Sequence, residues 1–182
     1  MFENANVFDG VSPKLAEGMS VLVDGNEINT VARALPSEGT ERIDCRGKTL
    51  MPGMIDNHLH IYAHSLQFMP PDPPITYRAQ YAHKFLTHIL SCGFTAVRDM
   101  AGGDHGMAMA LRDRYFDGPR FFYGGLALSQ TGGHGDFRSP DQPTDYLICA
   151  AERNVYAIMA DGVDACMKAA REELRKGATH IK

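Results

Sequence analysis

The sequence predicts an α/β protein in two parts: short strands and turns over residues 1–52, then strands alternating with helices over 53–182. Three observations predict it. Turn dipeptides containing glycine punctuate the first part, which shows no helical periodicity. Apolar residues recur at i, i+4 spacing in the second part. Each such row is flanked by a short apolar run, and two of the rows end on glycine, as helices do. Strands that alternate with helices pair in parallel through right-handed crossovers.

In order, Val7-Phe8 precedes the turn Asp9-Gly10, Val21-Leu22-Val23 precedes Asp24-Gly25, and Arg42–Cys45 precedes Arg46-Gly47. This region is too short to bury a core alone. After Met51-Pro52-Gly53, residues 54–60 read as a strand. Residues 76–92 read as a helix burying Tyr77, Tyr81, Phe85 and Ile89, with Gly93 as its stop, and Phe94–Val97 as a buried strand. Asp104 can cap a helix through Phe116 that buries Met107, Leu111 and Tyr115. A strand follows from Phe121 to Leu128. Asp161 or Asp164 can cap a further helix with Val163, Met167, Ala170 and Leu174 on its inner face, and Ala178–Lys182 begins a fourth strand. Between Ser129 and Asp161 lies a long loop, of the kind that commonly carries function, with a short helix expected around Tyr146–Met159.

Bulk properties exclude several functions. A net charge of −4 gives no electrostatic reason to bind nucleic acid or an anionic membrane. No apolar run approaches the ~18 residues that a membrane span needs. The N-terminus lacks the basic and apolar segments of a signal peptide, so a cytoplasmic protein is expected. Cys45, Cys92, Cys149 and Cys166 are far apart and form no zinc-binding pair, so reduced thiols are expected.

The strongest chemical signal is His58-Leu59-His60. Alternate strand residues share a face, so both imidazoles can converge on one metal ion while Leu59 packs on the other side. Asp56 continues that face. The alternative is a pair of histidines that hydrogen-bond to backbone at a strand end. His134, in Thr131-Gly132-Gly133-His134-Gly135-Asp136, is a candidate for substrate contact, because its glycine neighbours let backbone approach a ligand; a solvated turn histidine is the other reading. His64 could line the same site, although a loop histidine is the simpler reading; His180 could share the strand face of Lys182; Arg98 and Asp99 read as a structural ion pair or as hydrogen bonds to the sheet.

Lys48–His60 resembles the segment that enters the barrel in the amidohydrolase superfamily. Glu3–Gly10 resembles its opening strand, Gly93–Asp99 its second barrel strand, and Gly177–Lys182 its fourth. With Thr131–Asp136, the set is similar to the imidazolonepropionase-like and Xaa-Pro dipeptidase-like branch. The resemblance implies the first four units of a (β/α)₈ TIM-type barrel over 53–182, preceded over 1–52 by strands of a small β-sandwich domain. It implies that His58 and His60 bind one divalent metal, that Lys182 is carboxylated and bridges two ions (usually zinc), and that His134 contacts substrate or the developing oxyanion; in this chain by itself Lys182 is expected to be an exposed lysine. The implied activity is hydrolysis of C–N bonds in dipeptides, N-acyl amino acids or cyclic amides by a hydroxide between the ions. Ring opening of an imidazolone, or a non-catalytic half-barrel that serves as a binding module, are the alternatives. The family's ligands on later strands and its catalytic aspartate do not occur within residues 1–182, so this chain is expected to be inactive by itself. A small-molecule substrate and a homo-oligomer of the complete enzyme are the implied partners.

Overall fold

The computed structural model describes residues 1–63, 73–136, 138, 140–141 and 156–182. These fall into two compact units, Met1–Gly53 and Met54–Lys182.

The first unit is one five-stranded sheet. Strand β1 (Phe2–Val7) pairs antiparallel with β2 (Ala16–Asp24), which forms a hairpin with β3 (Glu27–Ala32). Two short strands, β4 (Ile43–Asp44) and β5 (Thr49–Leu50), run parallel to β1. The expected turns are where the backbone reverses: Gly25, at φ 59°, closes the β2–β3 hairpin in a conformation that costs glycine least. Ala5 and Val21 are buried, while Ile28 on the β3 edge is exposed.

The second unit is built from parallel strands and helices. Strands β6 (Met54–Leu59), β7 (Phe94–Asp99) and β8 (Arg120–Tyr123) form one parallel sheet in that order. Strands β9 (Ala127–Ser129) and β10 (Ala157–Met159) form a parallel pair. Helix α1 (Ile75–Ser91) leads from β6 to β7, and α2 (His105–Arg112) from β7 to β8. Helix α3 (Val163–Arg175) follows β10. Leu59, Ile61, Tyr62, Ala82, Leu86, Ile89, Val97 and Met107 make the core, which joins β6 and β7 to α1 and α2.

Several expectations are corrected. Helix α1 buries Arg78, Ala82, Leu86 and Ile89, so its inner face is turned from the predicted row and Tyr77 is exposed. Asp104 caps α2 as expected, accepting from the Met107 N–H at 2.8 Å. That helix ends at Arg112 because Arg114 adopts a left-handed conformation, and Tyr115 is left 82% exposed. The predicted strand 121–128 is split by Gly124-Gly125, the second at φ 68°. Ala157–Met159 is strand, not helix; residues 146–155 of that expectation lie outside the described residues, as do His64 and Cys149.

Helix α3 differs most. Neither aspartate caps it: Gly162 holds the N-cap position, and Asp161 instead accepts from the Thr131 N–H at 3.0 Å and its hydroxyl at 2.5 Å. Ala169 and Glu173 are buried, whereas Val163, Met167 and Leu174 are exposed. Residues 178–182 do not assemble into a regular strand, although the Thr179 N–H donates to Tyr123 O and the Leu128 N–H donates to Lys182 O, each at 2.8 Å. These two bonds lie at opposite ends of the segment, which leaves no continuous ladder between them.

Candidate metal centre

The site begins with a bulge. Asp56 of β6 faces Val97, and Leu59 faces Asp99, so three steps along β6 match two along β7. The extra residue falls within Asn57-His58. A bulge interrupts the ladder and re-aims side chains. The Asn57 carbonyl, within the bulge, accepts from Arg98 Nε at 2.8 Å, and the His58 N–H donates to Asp56 Oδ1 at 2.9 Å. Asp56 is thereby committed to the turn of its own backbone. The ladder resumes where the Met100 N–H donates to Leu59 O at 2.9 Å.

The two imidazoles project together, with ring centroids 5.4 Å apart and planes inclined at 67°. His60 Nδ1 lies 3.1 Å from Ala101 O. A carbonyl only accepts, so Nδ1 carries the proton and Nε2 keeps its lone pair. Burial pushes the His60 pKa below its usual value, against the Ala101 hydrogen bond, and nearby Lys182, His58 and His134 add to the lowering. The neutral form of the ring is thereby favoured. Lys182, 124 positions from His58 in sequence, brings Nζ to 3.4 Å from His58 Nε2. His58 and Lys182 are both exposed.

His134 is exposed in the turn after β9, within electrostatic reach of His60. Asp136 shapes that turn by accepting from the Gly132 N–H at 2.8 Å and pairing with Arg138. The Arg138 guanidinium holds its carboxyl far below the usual range. His180 packs its Nε2 against Gly124, where a Cβ would approach to 2.9 Å, and burial lowers its pKa. The structure therefore brings His58, His60 and Lys182 together, with His134 nearby.

These three side chains fit a cation only in part. The two imidazoles present ring nitrogens that suit zinc or a similar divalent ion, and the Lys182 amine lies beside them. Among the described residues no three His, Cys, Asp or Glu side chains form a complete ligand set. Sequence reasoning missed one group that holds the histidines, the Ala101 carbonyl, whereas the hydrogen bonds of Arg98 and Asp99 to backbone are the second of the two roles expected for them. Arg98 and Asp99 do not pair with each other but bond backbone on opposite faces of β7. Nothing in their spacing signals a bulge in the neighbouring strand.

Residues 49–182 match the amidohydrolase family. The chain belongs to that family. It is similar along its whole length to the crystal structure of a prolidase complexed with N-methylphosphonate-L-proline, with 38% identity, a TM-score of 0.91 and 45% of that chain covered. A Xaa-Pro dipeptidase structure with bound methionine superposes with a TM-score of 0.79 at 23% identity, over 99% of this chain and 45% of its own, and shows the shared fold. Among curated proteins, the ochratoxinase of Aspergillus niger is 31% identical over 171 residues, 87% of this chain. The chain spans 35% of the length of that relative. Its likeness is to the prolidase and Xaa-Pro dipeptidase side of the amidohydrolases, and amidohydrolases are typically metal-dependent.

Proposed function

We propose that this amidohydrolase chain supplies part of the metal centre of a hydrolase of C–N bonds. Dipeptides head its substrate range, those with a carboxyl-terminal proline first, followed by N-acyl amino acids and cyclic amides. Residues 54–182 are read as the first four strand–helix units of a (β/α)₈ barrel, whose active sites form at the C-terminal ends of the strands. One observation carries the reading: Lys182 Nζ lies 3.4 Å from His58 Nε2 beside His60, across 124 positions of sequence.

His58 and His60 would hold one divalent ion, zinc by donor type, and Lys182 would stand between it and a second. A bound ion supplies Lewis acidity and lowers the pKa of water. The chain's own residues supply the rest. His60 presents Nε2 because its Nδ1–H is committed to Ala101 O. A neutral Lys182 amine adds CO₂ and releases a proton, which leaves a carbamate whose oxygens suit hard cations. His134 is assigned to the substrate carbonyl or its developing charge. The prolidase likeness supports proline dipeptides over the other substrates.

The test has two arms. Zinc titration of the chain, read by competition with a chromophoric chelator, should show binding that the paired changes His58→Ala and His60→Ala abolish. A chimera in which residues 1–182 replace the matching 45% of the related prolidase should hydrolyse proline dipeptides. Zinc affinity that survives the paired change would move the site elsewhere. A folded, metal-loaded chimera inert towards all three amide classes would refute the hydrolase reading.

A further inference from the structure

Resting on the reading of His58 and His60 as metal ligands, we infer that Arg98 and Asp99 are the positioning pair that aims them. These consecutive residues at the end of β7 grip the backbone on either side of the His58-Leu59-His60 tripeptide. Arg98 Nε donates to Asn57 O at 2.8 Å, just before it. Asp99 Oδ2 accepts from the Ile61 N–H at 2.7 Å, just after it. The other oxygen, Oδ1, accepts from the Gly103 N–H at 2.8 Å, which anchors the buried loop whose Ala101 carbonyl fixes the His60 tautomer.

The burial pattern argues for a specific task. Asp99 has no exposed surface, and a carboxylate is costly to bury unless its oxygens are satisfied by donors. An apolar residue would fill the space at less cost but would leave the Ile61 and Gly103 N–H groups without these partners. The loop is also shaped around this carboxylate: a Cβ at Gly103 would come within 2.9 Å of Asp99 Cγ and 2.8 Å of Phe121 Cζ. Arg98 meets a different need. A bulge takes a carbonyl out of the ladder, and the guanidinium side chain supplies the missing donor from the facing position. With both contacts in place, each end of the tripeptide is fixed, and the two imidazoles are held in one relative orientation. Without either, the bulge can relax and the register of His58-Leu59-His60 against β7 shifts, which would move the imidazoles relative to Lys182 and the Ala101 carbonyl.

The test compares the chain with Arg98→Met, Arg98→Lys and Asp99→Asn. Arg98 is exposed, so Arg98→Met should fold. Asn at 99 keeps the shape but turns one acceptor into a donor that faces an N–H. Zinc affinity should fall about ten- to a hundredfold in Arg98→Met and Asp99→Asn, as outer partners of ligating histidines do. Arg98→Lys, which keeps a donor near Asn57 O, should recover part of it. Two readouts need no metal: the His60 imidazole nitrogen shifts should report a mixed tautomer in Asp99→Asn, and amide exchange at Ile61 should quicken. Affinities within twofold of the parent chain, with tautomer and exchange unchanged, would overturn the positioning role. If the parent chain binds no zinc, the metal reading fails, and the two metal-free readouts still decide whether the pair braces the tripeptide.

Discussion

At the scale of single residues, Asp99 has a second consequence, for the pH dependence of stability. Burial pushes its carboxyl up from 3.8 to about 6, overcoming the N–H donors from Ile61 and Gly103 that favour the charged form. Between those two pH values the folded chain binds more protons at this group than the unfolded chain, so its contribution to stability falls as pH rises. Two pH units of separation correspond to about 3 kcal/mol at most. The carboxyls of Asp136 and Asp161 are lowered, so their contribution is present above the usual carboxylate range and lost as pH falls through and below it, outside this window. Subtracting urea-unfolding free energies of Asp99→Asn from those of the parent between pH 4 and 6 should therefore give a difference that slopes downward with pH. A flat difference would show that Asp99 titrates normally. At the same scale, His134→Ala should leave zinc affinity within twofold while lowering turnover of the prolidase chimera, because the imidazole is assigned to substrate. Loss of zinc in that variant would make His134 a ligand instead.

At the scale of elements, the sequence was most legible where one local rule sufficed. The β6 and β7 strands, the Asp104 cap and the Gly93 stop of α1 follow from alternation, a side-chain acceptor and a left-handed glycine at φ 93°. The histidine pair was legible for the same reason, since period-two alternation needs no tertiary information. Helix faces were less legible. In α3 the apolar row Val163, Met167 and Leu174 reads as the buried side, yet Val163 is 75% and Leu174 51% exposed. The helix is seated by a polar contact instead: Glu173 is buried, its Oε2 accepts from the Leu126 N–H at 3.1 Å, and its Oε1 accepts from Lys176 Nζ at 2.9 Å. No periodicity rule anticipates a glutamate that satisfies a backbone donor at a strand break around Gly125. Glu173→Ala should therefore cost about 1–3 kcal/mol in urea unfolding, the penalty of an unsatisfied donor. Leu174→Ala should cost under ~1 kcal/mol, as an exposed change does. The reverse order would mean that α3 packs on its apolar row.

At the scale of the whole molecule, the exposed apolar residues point to behaviour in solution. Parallel sheets are ordinarily covered on both faces by helices or by barrel closure. Here Ile55 and Phe122 of the parallel sheet are exposed, and so are Val163, Met167 and Leu174 of α3. Strand β6 is also a terminal strand in its sheet order, which makes it a template for pairing with another chain. A closed barrel of eight strands would remove such an edge, and this chain spans 45% of the prolidase that it resembles. Exposed apolar surface in contiguous patches drives association. The mass measured by light scattering after size exclusion should therefore rise with loading concentration. Replacing Val163 and Leu174 together by lysine should lower it without changing zinc affinity, because neither residue is among those that build the metal centre. Replacing Ile55 by lysine, a charge of the kind that blunts sheet edges, should act separately on edge pairing. A monomeric mass at every concentration, with one cooperative unfolding transition, would show that residues 54–182 already bury the surfaces they need and would count against the half-barrel reading of the fold.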